Sequence, residues 1–310
     1  MAVSSAPPDS PYVPYVGPRP IPANRALYGR ERELRRLLDL LIPERIVLLY
    51  SPSGAGKTSL IQASLIPALR EKELLVRAPI RVNVDPGIVL ADDRPVNRYV
   101  LSTLVSLDEE PLDGRRRSPE ELAGLDLDTY LEETRPKVGE RQPEVLIFDQ
   151  FEEILTLDPI DLTAKEELFR QLGHALRDPW RWALIAMRED YIAALDPYLP
   201  LLPTRLRARF RLDLLGERAA REAMQRPAED VGYTFTDEAA DKLLTDLLEV
   251  RLPRAGGGQP VEARGHYVEP VQLQVVCLRI WKQLAADSRT IDLDEVERWG
   301  NVDTALGDYY

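Results

Sequence analysis

Ile46-Val47-Leu48-Leu49-Tyr50-Ser51-Pro52-Ser53-Gly54-Ala55-Gly56-Lys57-Thr58-Ser59-Leu60 is the stretch that decides the fold. Its first five residues are an unbroken apolar run, the pattern of a strand covered on both faces in a parallel sheet. A glycine turn follows and then the start of a helix. Gly54 and Gly56 let backbone N–H groups turn toward a polyphosphate, and the helix N-terminus adds partial positive charge. Ser53, Gly54, Ala55, Gly56, Lys57, Thr58 and Ser59 would form the cradle. Lys57 would reach the β- and γ-phosphates of a nucleotide, and the Thr58 hydroxyl would ligate Mg²⁺. Ser51 stands where such loops usually carry their first glycine. A serine can take the less demanding turn conformation there, so binding survives the departure. An ordinary glycine turn between strand and helix is the competing explanation, and it leaves the register of strand, Gly-x-Gly-Lys-Thr and helix without a reason.

Outward from this stretch the same rhythm repeats. Leu34, Leu37, Leu38 and Leu41 mark a helix with one buried stripe, ended by Pro43. Ile80 to Val84 alternates like a strand, Val96 to Leu107 reads helical, and Ser118-Pro119-Glu120-Glu121 opens a helix as a capping box. Val145 to Phe148 is a second buried strand, Lys165 to Leu176 a helix, and Ala183 to Ala186 a third core strand. Such alternation implies right-handed crossovers and an α/β fold: a three-layer P-loop NTPase with a parallel central sheet. After Leu212 the pattern turns helical over 217–225, 236–248, 270–284 and 294–299, with a loop at Arg254-Ala255-Gly256-Gly257-Gly258. Prolines at 7, 8, 11, 14, 18, 20 and 22 make residues 1–25 an extended arm or linker. The expected organisation is therefore the arm 1–25, a nucleotide domain 26–213 and a small α-helical lid domain 214–310. The last helix reads as cut short at Tyr310, before a possible winged helix.

Val145-Leu146-Ile147-Phe148-Asp149 ends a buried strand in an acid, followed by Gln150-Phe151-Glu152-Glu153. Strands of an open α/β sheet present their carboxyl ends to one ligand-binding edge, so Asp149 would hold Mg²⁺ through a water. Glu152 or Glu153 would polarise the attacking water, one carboxylate being enough. The bland alternative is that these acids cap the next helix. Arg188 ends a third strand. It would either touch the γ-phosphate or pair with Glu189, Asp190 and their acidic neighbours. Arg205, Arg207, Arg209 and Arg211 alternate like the solvated face of an edge strand, and the sequence leaves open whether one of them is an arginine finger. His174, His266 and Cys277 lack metal-ligand spacing, and Cys277 reads as a small buried hydrophobe. Trp180, Trp182, Trp281 and Trp299 read as packing residues.

The 310 residues are 44% hydrophobic, enough for a sizeable core, and carry a formal net charge of -12. That charge repels a nucleic-acid backbone, so nucleic acid is an unlikely partner. Apolar runs are strand-sized, which excludes a membrane span, and no signal segment leads the sequence. One cysteine allows no internal disulfide, and a reducing cytoplasm fits.

Tyr28-Gly29-Arg30-Glu31-Arg32-Glu33 resembles the box that borders the adenine in STAND and origin-recognition-type AAA+ ATPases. With Gly54 to Leu60, Asp149 to Glu153, Met187 to Tyr191 and Glu269-Pro270-Val271-Gln272-Leu273-Gln274, the chain from Tyr15 to Tyr310 is similar to the bacterial novel STAND NTPases. The resemblance implies a signal-transduction ATPase that binds ATP, ADP and Mg²⁺, closed with ADP and a homo-oligomer with ATP. It makes Arg188 the sensor arginine, Glu152 and Glu153 the paired acids, and Pro270 the lid proline that touches the nucleotide. The glycine usual two residues before that proline is Val268 here. Relatives usually carry an effector domain before this core and a sensor after it, both absent from this chain, and many act in bacterial defence or stress signalling. A different reading, an AAA+ origin-binding or clamp-loader-like ATPase acting on DNA, calls for a basic stripe that the acidic composition does not offer.

Overall fold

The computed structural model describes residues 13–84, 96–136, 141–158, 160–252, 261–284 and 288–307. The loop read at 254–258 and the first three prolines of the arm lie outside the described residues.

In chain order the elements are α1 (Glu31–Glu44), β1 (Ile46–Ser51), α2 (Lys57–Leu60), a π turn (Ile61–Leu65), α3 (Ile66–Glu71), β2 (Leu75–Val76), α4 (Arg98–Leu107), α5 (Pro119–Ala123) and α6 (Leu127–Glu133). Then come β3 (Glu144–Phe148), α7 (Glu153–Thr156), α8 (Leu162–Ala175), β4 (Arg181–Arg188), two 3₁₀ turns (Glu189–Leu195, Leu199–Leu201), β5 (Ala208–Arg211), β6 (Leu215–Gly216) and α9 (Glu217–Glu229). The chain closes with β7 (Thr234–Phe235), α10 (Asp237–Leu248), β8 (Glu249–Leu252), β9 (Val261–Arg264), β10 (Tyr267–Val268), α11 (Pro270–Gln283), β11 (Thr290–Ile291), α12 (Leu293–Trp299) and α13 (Val302–Gly307). These elements form two compact units. A sheet unit comprises Glu33–Ser53 and Leu65–Leu212; a helical unit comprises the chain up to Arg32, Gly54–Ser64, and Asp213 onward.

The sheet unit is built on five parallel strands in the order β2-β3-β4-β1-β5. Ile46, Leu48, Leu146, Phe148, Ala183 and Ile185 share one core with Leu104 of α4, Tyr130 of α6 and Phe169 of α8. The strand residues of opposite parity, Val47, Leu49, Val145, Ile147, Leu184 and Ala186, are buried as well. Both faces are therefore covered, which is why these strands read as continuous apolar runs; each buried aliphatic contributes about 1.5–3 kcal/mol. From β1 the chain crosses to β2 at the far end of the sheet and returns through β3 and β4. Right-handed crossovers then put the β1–β2 helix on the opposite face from the later ones, giving three layers. The connections from β1 and β4 leave in opposite directions, and this switch point is where open α/β sheets bind ligands, outside the carboxyl ends of the strands.

One expected strand does not form. Over 80–84 only Ile80 makes a bridge, to Phe148, and the rest of the segment is held by a helix instead. Ser106 Oγ accepts from the Arg81 N–H at 3.1 Å, and Ser102 Oγ accepts from the Val84 N–H at 2.7 Å. Ser102 also donates to the Arg81 carbonyl at 2.7 Å. Two serines one turn apart on α4 thus take the place of a neighbouring strand. At the other end of the sheet, Glu144 and Arg181 open β3 and β4 as register partners and bury a charge network with Arg77. Arg181 Nε lies 3.1 Å from Glu144, its Nη2 2.6 Å from Glu132 of α6, and Arg77 Nη1 donates to Thr134 at 2.8 Å. The packing role read for Trp180 is not met, since it is exposed beneath the Arg141 guanidinium.

The helical unit has its own core, with Ala220 and Met224 of α9, Leu243 and Leu247 of α10, Leu273, Val276, Cys277 and Ile280 of α11, and Val296 of α12. Burial holds the Cys277 thiol far above its ordinary pKa, so it is a packing group there. Three short ladders, β6 with β10, β7 with β11 and β8 with β9, tie the loops between these helices. They were not legible as strands. The arm enters this core: Tyr15 is buried, and its hydroxyl donates to the Met224 carbonyl at 2.6 Å. The Val16 N–H donates to Gln274 at 3.0 Å.

Candidate functional site

Ser51 is the last residue of β1, paired with Arg188, and keeps the extended backbone of a strand. The left-handed conformations of the loop fall on Gly54 (φ 73°) and Gly56 (φ 91°), so a serine at 51 carries no strain. Gly56 caps α2, its carbonyl accepting from the Leu60 N–H at 2.9 Å. Ala55 is buried, while Ser53 and Gly54 are exposed and Lys57, Thr58 and Ser59 lie between. The Ser59 hydroxyl accepts from the Ile21 N–H of the arm at 3.1 Å.

Within the helical unit two further elements meet this loop. Arg30, expected beside the adenine, is buried and donates from Nη2 to the Ala55 carbonyl at 2.9 Å. Gly29 (φ 78°) precedes it, and a Cβ there would lie 2.3 Å from the Ala219 carbonyl oxygen. Tyr28 donates to Asp230 at 2.6 Å, with the Arg226 guanidinium 5.9 Å from its ring. The second element is the start of α11. A Cβ built on Gly56 would lie 3.8 Å from Pro270, and one on Gly54 3.4 Å from Val271 and 3.9 Å from the Glu269 carboxylate. Glu269 also accepts from Gln272 at 3.1 Å. The sequence reading placed Pro270 here and gave no role to Glu269 or Val271.

In the sheet unit the acids lie on the turn from β3 to α7. Asp149 is 2% exposed; its Oδ1 accepts from the Gln150 N–H at 3.0 Å and its Oδ2 lies 3.4 Å from Arg81 Nη2. Arg81 also donates to the Gln150 side chain. Gln150 is left-handed (φ 56°), and the Phe151 N–H then donates to the Ala186 carbonyl of β4 at 2.9 Å, tying the turn to the sheet. Phe151 sits edge-on between Phe148 and Phe169. Glu152 Oε2 accepts from the Arg188 N–H at 3.2 Å. Burial raises the Glu153 pKa; the Arg81 charge opposes this, and Glu152 and Asp149 add to it. The Arg188 Nε and Nη2 lie 3.1 and 2.8 Å from Asp190, over the Tyr191 ring. Asp190 raises the Arg188 pKa further. Arg211 pairs likewise with Glu189 at 2.9 Å. Arg81 was missed by sequence reasoning. Its signal was a cation after the apolar Ile80, the arrangement that drew attention to Arg188.

Among the described residues no group of three or more His, Cys, Asp and Glu could hold a metal. A nucleotide-borne Mg²⁺ needs only one or two protein oxygens and keeps several waters, and a threonine hydroxyl with one buried carboxylate supplies the hard donors it prefers. Thr58 and Asp149 fit that requirement in kind.

The chain belongs to the Novel STAND NTPase 1 family. The family model matches residues 14–309, nearly the whole length. No curated protein gives a significant sequence match. Among solved structures, a Walker-type ATPase of Pyrococcus abyssi superposes with TM-score 0.58 at 15% identity, covering 94% of this chain and 73% of that one. The Aeropyrum pernix ORC2 protein, solved as ADPNP and ADP complexes, gives TM-score 0.56 at 16% identity, covering 94% and 70%. At such identities the likeness shows the fold: this STAND NTPase has the P-loop ATPase architecture. Among its described residues no helix is long and apolar enough to cross a membrane.

Proposed function

We propose that this STAND NTPase binds ATP and ADP with Mg²⁺, hydrolyses ATP slowly, and uses the identity of the bound nucleotide as a switch between an ADP-bound closed form and an ATP-bound oligomer. The observation that carries the switch is the contact of α11 with the phosphate loop. A Cβ on Gly54 would lie 3.4 Å from Val271 and one on Gly56 3.8 Å from Pro270, so the first turn of α11 runs close beside the loop. An anion on the loop amides therefore acts on the first turn of a helix whose other residues form the core of the helical unit. A change in phosphate number has a direct mechanical reader.

In this reading Lys57 would lie along the β- and γ-phosphates, and Thr58 and Asp149 would hold Mg²⁺, whose chemistry there would be neutralisation of phosphate charge. Glu153 takes the proton of the attacking water as its oxygen bonds to the γ-phosphorus; the bond to the β–γ bridging oxygen breaks, and ADP and phosphate leave. Glu153 is preferred over Glu152 because Glu152 already accepts the Arg188 N–H. Arg188 would leave Asp190 to meet the γ-phosphate. The family resemblance adds a place in bacterial defence or stress signalling, with effector and sensor proteins as partners.

The test combines calorimetry with mass in solution. Lys57→Ala should abolish nucleotide binding, and mass should rise with ATP and stay low with ADP. Unchanged affinity in Lys57→Ala removes the nucleotide reading. Equal mass with both nucleotides removes the switch.

A further inference from the structure

The Asp149 carboxylate is almost wholly out of water, where a bare charge is costly and a cation close by offsets the cost. One such cation is Arg81, 3.4 Å away. Its position is built from behind. Ser106 and Ser102 of α4 hold both the N–H and the carbonyl of Arg81. Gln150 holds the guanidinium from the side. A third of the Arg81 side chain still meets solvent, so the guanidinium has somewhere to go. Asp149 is also the acid assigned above to Mg²⁺, and a divalent ion and a guanidinium on one carboxylate repel each other strongly.

We propose that Arg81 is a placeholder cation: it neutralises Asp149 while no divalent ion is there and must withdraw for Mg²⁺ to be held, so it sets the Mg²⁺ concentration at which the nucleotide site loads. The inference rests on the metal role of Asp149. It makes Arg81 a positioning residue that acts through that carboxylate and takes no proton in hydrolysis. Gln150 then has a reason for its left-handed backbone, which brings its amide to the guanidinium.

The experiment strips the full chain of metal with EDTA, then titrates Mg²⁺ at fixed ADP and reads bound ADP by equilibrium dialysis. Circular dichroism melts check that each variant is folded. In Arg81→Gln, which keeps a polar group and loses the charge, half-saturating Mg²⁺ should fall about tenfold, a modest share of the Coulomb interaction at this distance. Arg81→Lys keeps the charge and should stay near the parent. A half-saturation point in Arg81→Gln equal to or above the parent's overturns the proposal. Gln150→Asn tolerates the left-handed backbone, is too short to hold the guanidinium, and leaves Arg81 intact if the arginine variants do not fold. It should shift the curve in the same direction, and no shift there also overturns the proposal. If the parent binds ADP without regard to Mg²⁺, or Asp149→Asn keeps the parent's Mg²⁺ dependence, the metal assignment of Asp149 is what fails, and the placeholder falls with it.

Discussion

Arg30 reaches across 25 residues of sequence to donate a charged hydrogen bond to the carbonyl of Ala55, at 2.9 Å with both residues buried. Because a trans peptide is planar, turning the Ala55 carbonyl toward Arg30 turns the Gly56 N–H the opposite way, to the face where an anion would be cradled. Arg30 therefore orients a donor of the phosphate loop without touching phosphate. Arg30→Met should weaken ADP binding about tenfold or more, in line with roughly 1.5–3 kcal/mol for a hydrogen bond to a charged group. Calorimetry on Arg30→Met and Arg30→Lys decides it. An affinity unaltered in the methionine variant would mean the loop is held by other contacts.

Gly29 has both a left-handed φ of 78° and a neighbour, the Ala219 carbonyl oxygen, that an added Cβ would meet at 2.3 Å. Gly232 has the same backbone, φ 79°, with nothing within 4 Å. Gly232→Ala should cost only the backbone strain, about 1–2 kcal/mol. Gly29→Ala should cost that plus a forced shift of α9, in all about 3–5 kcal/mol. Urea unfolding of the two variants separates the effects, and equal midpoints would contradict the close approach.

The strands β1, β3 and β4 were legible because burial on both faces leaves no polar position to interrupt the apolar run. The capping box at Ser118 and Glu121 was legible because it is local, and both of its hydrogen bonds are present. What could not be read depended on distant partners. Ile80 to Val84 alternates like a strand, but its ladder partner is a pair of serines about 20 residues on. Arg81 looked like any surface arginine until the fold brought it to Asp149, and Arg30, expected beside the adenine, could not be read as a partner of the Ala55 carbonyl. The two-residue strands of the helical unit are too short to leave a period. In the loop itself, Gly54 and Gly56 were legible from type alone, whereas Glu269 was passed over because its neighbour Pro270 explained the helix start.

Glu144 lies between two buried arginines, and its removal takes away the carboxylate that pairs with Arg77, while Arg181 keeps Asp128 and Glu132. Breaking a buried pair from one side costs about 3–5 kcal/mol, whereas exchanging the whole group for apolar residues can be neutral. Glu144→Gln should therefore destabilise the sheet unit by about that amount in urea unfolding. Combining it with Arg77→Met, which removes the arginine left unpaired, should recover much of the loss. A loss under about 1 kcal/mol in the single variant, the range of a surface pair, would show that solvent reaches the network.

The pH dependence of turnover tests which glutamate is the base. Burial raises the Glu153 pKa above the ordinary glutamate value, and a raised carboxyl is protonated, hence useless as a base, until the pH climbs past it. Single-turnover phosphate release should rise with pH through a limb above about 4.3, the value of a free glutamate. That limb should persist in Glu152→Gln. Glu153→Gln should lose it, with the rate down about a hundredfold or more. Normal hydrolysis by Glu153→Gln would move the role to Glu152.

The Glu269 carboxylate lies beside Gly54, 3.9 Å from where a Cβ would stand, on the helix whose first turn meets the loop. A helix N-terminus favours an anion, and the Glu269 carboxylate stands near this one, making no cap hydrogen bond to the backbone and held by Gln272. A nucleotide phosphate must then bind near a fixed negative charge. Two unit charges ~6 Å apart in a medium of effective dielectric ~20 repel by about 3 kcal/mol, and salt reduces this further. The repulsion grows with phosphate charge, so it disfavours ATP more than ADP and favours an ADP-bound resting form. Glu269→Gln keeps the size and the hydrogen bond while removing the charge. It should tighten ATP by about tenfold and ADP by less, measured by calorimetry in the same buffer at low salt, with the difference shrinking as salt is raised. Equal gains for both nucleotides would show that the acid senses occupancy without counting phosphates. A weaker ATP complex would show that the carboxylate assists binding, as an acid reaching the nucleotide's Mg²⁺ would.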